Sequence, residues 1–139
     1  MEPKRIRIDT IIKKSISDVW NAWVNPDDIT QWNHASDDWH CPKANSDLKV
    51  GGKFNYRMEA KDGSANFDFK GTFTKIEENQ TIHFELADNR RVTVEFCQTQ
   101  LGVRVVEEFE AENENPAELQ RQGWQSILNN FKSHVESKA

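Results

Sequence analysis

The strongest constraint on this chain is a strand that opens on paired glycines, Asp47-Leu48-Lys49-Val50-Gly51-Gly52-Lys53-Phe54-Asn55-Tyr56-Arg57-Met58. Successive side chains of an extended backbone point to opposite sides, so Phe54, Tyr56 and Met58 share one face while Lys53, Asn55 and Arg57 share the other. Large apolar groups facing an interior and charges facing water mark an antiparallel sheet wetted on one side. Further segments repeat the pattern. Phe67, Phe69, Gly71 and Phe73 alternate with Asp68, Lys70, Thr72 and Thr74; Ile82, Phe84 and Leu86 with His83 and Glu85; Val92, Val94 and Phe96 with Thr93 and Glu95; Val103, Val105 and Phe109 with Arg104 and Glu108. Turn signals at Lys61-Asp62-Gly63, Glu77-Glu78-Asn79, Asp88-Asn89 and Leu101-Gly102 separate these runs, which predicts a meander.

Helical signals flank the meander. Ile6, Ile8 and Ile12 suggest a first strand, after which Ser15 or Ser17 caps a short helix carrying Val19, Trp20 and Trp23 on one side. Asn25-Pro26 pairs a good cap with proline at the first helical position, predicting a second short helix with Ile29 and Trp32 on one face. Residues 33–46 show no period and read as an irregular connection holding Trp39, His40 and Cys41. After Glu112-Asn113-Glu114-Asn115-Pro116 the spacing becomes helical, with Leu119, Gly123, Trp124, Ile127, Leu128, Phe131 and Val135 forming one stripe of a long helix. Such a stripe needs an apolar surface, and the concave face of the meander supplies it.

Composition narrows the function classes. At 139 residues the chain suits one domain spanning 1–139. A formal net charge of -5 and no basic run argue against nucleic acid, whose phosphates the average surface would repel. The segment Met1-Glu2-Pro3-Lys4-Arg5 leads into no long apolar run, so neither a secretory leader nor membrane insertion is expected. Cys41 and Cys97 make no disulfide framework and read as reduced thiols of a cytoplasmic protein. Asn79-Gln80-Thr81 matches a glycosylation sequon, which carries no weight without a secretion route.

Several marks together resemble a known family: Val19-Trp20-Asn21-Ala22-Trp23 with Pro26 and Trp32, then Asp47 to Phe54, then Gly71-Thr72-Phe73-Thr74-Lys75-Ile76, and Gln122-Gly123-Trp124 with Leu128. In this order they look like the START-like superfamily, also called SRPBCC, and within it are most similar to bacterial relatives of the activator of the heat-shock chaperone ATPase. The resemblance implies an α+β helix-grip fold, a curved antiparallel sheet wrapped around a long C-terminal α-helix with two short helices after the first strand. It also implies a cavity between sheet and helix. Many relatives follow the second tryptophan helix with another aromatic, whereas Trp32 is followed by Asn33 and His34. Eukaryotic chaperone activators carry a separate N-terminal domain besides, so the resemblance does not imply chaperone stimulation.

The expected ligand-binding set is Trp39, Phe54, Tyr56, Met58, Phe67, Phe69, Phe84, Phe96, Glu107, Trp124 and Leu128. Aromatic walls suit a small apolar or aromatic molecule, and Gly71 and Gly123 would leave space beside them. Glu107 faces inward by parity between Val105 and Phe109. It either addresses a ligand hydroxyl or amine, or works as a base, or is a structural carboxylate paired with an arginine or a tryptophan N–H; a bulge at Glu107-Glu108 would instead turn it outward.

No metal, cofactor or catalytic residue is expected. His34, Asp37, Asp38, His40 and Cys41 cluster in sequence without the paired ligand spacing of zinc sites. Gly51-Gly52 opens a strand rather than a helix, so it is not a phosphate loop. His83 reads as an outer-face residue, and His134 as a partner of the helix dipole. The expectation is non-catalytic binding of a small, mainly apolar ligand. The alternatives are a cyclase- or hydrolase-type enzyme using Glu107, Tyr56 and His40, and a chaperone-activator-type protein-interaction module.

Overall fold

The computed structural model describes residues 4–138, so Met1 to Pro3, at the start of the segment read for a leader, lie outside the described residues. Strands β1 (Arg5–Ile12), β2 (Trp39–Ser46), β3 (Lys53–Ala60), β4 (Asn66–Glu77), β5 (Thr81–Leu86), β6 (Arg91–Thr99) and β7 (Gly102–Glu110) form one antiparallel sheet in the order β1-β7-β6-β5-β4-β3-β2. Helices α1 (Ile16–Val24) and α2 (Pro26–Trp32) follow β1, and α3 (Ala117–Ser137) closes the chain. The expected α+β helix-grip architecture is the one observed.

Local chemistry sets the element ends. Ser15 Oγ accepts from Asp18 N at 3.1 Å and caps α1, while Asn25 Oδ1 accepts from Asp27 N at 3.0 Å and caps α2, with Pro26 at the first turn. Both satisfy amide donors that a helix start leaves without partners. Asn79 and Asn89 turn their hairpins at φ 65° and 73°, a region that asparagine tolerates better than most residues. At the paired glycines, Gly51 has φ 85° and a Cβ on Gly52 would lie 2.0 Å from the Asp47 carbonyl oxygen. The β2–β3 turn is therefore closed to any side chain at that point.

One segment corrects the sequence reading. Residues expected to be irregular form β2, which pairs with β3 and shifts register between His40 and Lys43. Pro42 lies in this gap. Proline donates no ladder hydrogen bond and is tolerated at a bulge on an edge strand, and the bulge erases the alternation by which a strand is recognised.

Helix α3 lies against the sheet in two ways. Leu128, Phe131 and Val135 are fully buried, each burial of this kind contributing about 1.5–3 kcal/mol. Along its side, Arg121 Nη1 donates to Arg7 O at 2.7 Å and Gln125 Nε2 to Asp9 O at 3.3 Å, covering carbonyls on the outer edge of β1. Leu119, expected in the buried stripe, is exposed. The inward place belongs to Gln120, whose Oε1 accepts from Glu112 N and whose Nε2 donates to Glu112 O and Asn115 O. The loop before the helix has backbone groups to satisfy, and a buried amide does so where leucine would not.

Candidate functional site

Parity along the strands decides which face a side chain takes, but the concave face is filled differently along its length. Beside α1, Trp20 and Trp23 close on Phe96 with ring centroids 5.3 and 6.0 Å apart. Trp23, Trp32 and Phe131 then join α1, α2 and α3, each pair within 5.1 Å. Trp32 Nε1 also donates to Ala22 O at 3.0 Å. These rings brace the three helices and the sheet against one another at this end.

Farther along, the side chains of sheet and helix leave a pocket of about 260 Å³. Phe54, Tyr56, Met58, Phe69 and Phe84 line it from the sheet, Trp124, Ile127 and Leu128 from α3, and Trp23, Val24, Trp32 and Asn33 from the short helices. Leu48 and Phe67 also line it while 39% and 48% exposed, which puts them at its mouth. Phe54 contacts Tyr56, Phe73 and Phe84 with centroids 4.9 to 5.1 Å apart, so these walls brace one another. Trp124 stacks flat on Phe109 and meets Phe69 edge-on at 5.9 Å.

Of the expected set, Phe54, Tyr56, Met58, Phe67, Phe69, Phe84, Glu107, Trp124 and Leu128 come together on this pocket. Two do not. Phe96 is occupied by the α1 tryptophans, and Trp39, half-buried at the start of β2, packs its ring 5.9 Å from Phe67 instead of on the lining. Gly71 is also corrected: a Cβ there would lie 2.5 Å from Glu85 O and 3.0 Å from the Phe54 ring, so no space is left beside it. At Gly123 a Cβ would meet nothing within 4 Å, but Gly123 is not on the pocket lining, so the space beside it is not pocket space. Ser46, Leu48, Arg90 and Asn33 line the pocket without having been anticipated; they lie in turns, at helix ends or in the bulged strand, where no period singles them out. Phe73, Ile82 and Ile127 carried a signal, since each has the inward parity or helical spacing of its neighbours.

The polar groups are few. Glu107 sits in unshifted register between Ile8 of β1 and Val94 of β6, so no bulge turns it outward. It is 7% exposed, and among the described residues neither an arginine, a tryptophan N–H nor any other group hydrogen-bonds its carboxyl. Burial alone pushes this carboxyl up to about 8, because an apolar surround penalises the charged form. Burial likewise raises the Tyr56 phenol above its ordinary value. Ser46 Oγ is buried without a hydrogen-bond partner among the described residues.

The remaining candidates lie elsewhere. His40 is half-exposed, with Nε2 3.8 Å from Glu59 Oε1, so the acid–base trio of Glu107, Tyr56 and His40 is not assembled. Cys41 is buried and its thiol contacts Lys43 O at 3.5 Å; burial pushes the thiol up, the opposite of an activated nucleophile. His83 faces outward against Glu95 at 3.2 Å. His134 is hydrogen-bonded to Asp28 at 2.8 Å. Among the described residues no cluster of three or more His, Cys, Asp or Glu side chains is placed to hold a metal, and no helix is long and apolar enough to cross a membrane.

With this geometry in place, comparison with known proteins identifies the lineage. Residues 13–136 match the family described as activator of Hsp90 ATPase homolog 1-like protein. The chain belongs to that family. The AHSA1-like protein from Aeromonas hydrophila is 46% identical, covers 96% of this chain and 93% of its own, and superposes with a TM-score of 0.91. A protein from Cytophaga hutchinsonii is 42% identical over 95% of this chain and 92% of its own, at a TM-score of 0.83. A protein from Nitrosomonas europaea shares only 15% identity but superposes at 0.81 over 95% and 94% of the two chains, a likeness of fold alone. No curated protein matches the chain. The AHSA1-like family and the START-like fold anticipated from the sequence are thus both found.

Proposed function

We propose that the protein binds a small, mainly apolar molecule in the pocket between sheet and α3, without catalysing a reaction on it. The observation that carries this is a 260 Å³ space walled by Phe54, Tyr56, Phe69, Phe84 and Trp124. An apolar cavity of about 150 Å³ is enough for benzene, so this one suits a body of about two fused rings. The absence of an assembled acid–base set favours a binder over a cyclase or hydrolase. The family description names a chaperone-ATPase activator, but the feature that the side chains build is a concave pocket, which suits a small molecule better than a chaperone surface.

The test is native mass spectrometry of the freshly purified protein, with thermal unfolding before and after extraction of any bound molecule. Anything that binds only the folded state raises the midpoint by mass action. A retained small molecule whose removal lowers the midpoint supports the reading. Ser46→Leu fills the pocket and removes an unpartnered hydroxyl, so it should keep the fold and lose the molecule. Retention by that variant would count against the pocket.

A further inference from the structure

Building on the pocket reading, we infer that Glu107 donates a hydrogen bond to the ligand, and that the ligand is an uncharged molecule with an aromatic or aliphatic body bearing a carbonyl oxygen. The carboxyl is aimed into the pocket from the middle of β7, is more than nine-tenths buried, and has no partner among the described residues. A buried polar group without a partner is costly, so its place on the lining points to a group brought by something else.

The neighbours decide which group. Ile8 from β1, Val94 from β6, and Val105 and Phe109 along β7 share its face, and Trp124, Ile127 and Leu128 line the pocket from α3. None of these is charged or titrates. The other titratable groups on the lining are Tyr56 and Arg90, and the Arg90 guanidinium lies 2.8 Å from Asp88. A cationic ligand would need a carboxylate in this apolar surround, where the one cation on the lining, Arg90, is paired with Asp88. A carbonyl oxygen needs only the protonated acid, the form that burial maintains up to about pH 8.

Naphthyl methyl ketone, ethylnaphthalene and naphthylmethylamine separate the cases, since they share a body and differ in the polar group. Affinities measured by calorimetry should show the ketone binding about tenfold tighter than the hydrocarbon at about pH 6, the worth of one good hydrogen bond. By about pH 9.5 the ketone should weaken by close to tenfold, down to the affinity of the hydrocarbon, as the acid form is depleted, with the hydrocarbon unchanged. Tyr56, held above its ordinary value, keeps its proton across this range. Glu107→Gln still donates through its amide, so the ketone preference should survive while the pH dependence vanishes; Glu107→Leu should lose both. Equal binding of ketone and hydrocarbon would overturn the inference and leave the pocket reading standing. Tightest binding by the amine would also overturn it, in favour of a carboxylate. Saturable binding by none of the three would overturn the pocket reading together with the inference.

Discussion

Trp124 stacks on Phe109 with ring centroids 3.9 Å apart and planes within 8°. This contact fixes α3 over β7 at the inner wall of the pocket, since Phe109 is fully buried while Trp124 lies on the lining. Stacked aromatic pairs add about 0.5–1.5 kcal/mol beyond their burial. Trp124→Ala should therefore destabilise the fold by about 2–4 kcal/mol, near the low end for a core tryptophan because the ring is only partly buried. Denaturant unfolding measures this, and a loss below about 1 kcal/mol would show that the stack does not hold the helix.

Glu107 gives stability a pH dependence of definite sign. Its carboxyl keeps a proton to about 8 in the folded chain, against an ordinary 4.5, so folding takes up a proton between those values. Stability is full below the lower value, falls as pH rises toward the upper one, and is level beyond. Glu107→Gln removes the linkage. Its stability relative to the parent should rise by about 2–4 kcal/mol between pH 5 and pH 8, because each pH step over which the folded parent alone holds the proton costs it about 1.36 kcal/mol, less whatever the pocket recovers by relaxing. Parallel stability curves for the two proteins across that window would contradict the burial of an unpartnered acid.

Asp28 ties α2 to the end of α3. Its Oδ1 accepts from His134 Nε2 at 2.8 Å and from Lys138 Nζ at 2.6 Å. Burial works to raise this carboxyl, but the hydrogen bonds from Lys138 and His134 outweigh it and hold it below its ordinary value. The stabilisation is present above the ordinary carboxylate range and lost as pH falls through the lowered one. Asp28→Ala should cost about 1–3 kcal/mol at neutral pH, and the difference from the parent should shrink on acidification below about pH 4. A cost that stays constant down to about pH 2 would rule out the ionised clamp.

Two glycines on neighbouring elements should respond oppositely to alanine. At Gly123 the new methyl meets open space inside a helix, so Gly123→Ala should stabilise by about 0.5–1 kcal/mol. At Gly71 it would press on Glu85 O and the Phe54 ring, so Gly71→Ala should cost about 1–3 kcal/mol. Thermal midpoints of the two variants, compared with the parent, read both signs.

Alternation carried β3 to β7 and capping chemistry carried α1 and α2, because both are local: a side chain's face depends on parity, and Ser15 and Asn25 act within three residues. Strand β2 was illegible because an edge strand with Pro42 in a bulge has no reason to alternate. Phe96 shows the limit of parity. It has the right face, yet tryptophans from a distant helix cover it, and position along a strand is set by what packs above. Gln120 in place of Leu119 has the same lesson, since the demand came from backbone groups in a loop. Glu107 was legible in direction, while its lack of a partner depended on what β1, β6 and α3 bring near it.

Amide-resolved titration of the ¹⁵N-labelled protein with naphthyl methyl ketone tests the binding pocket most directly. The account predicts saturable shifts of the Trp124 indole N–H and of the Phe69, Phe84 and Glu107 amides, with His83, Glu95 and Arg104 on the outer face unmoved. Shifts confined to the outer face, or no saturable shift at all, would contradict it.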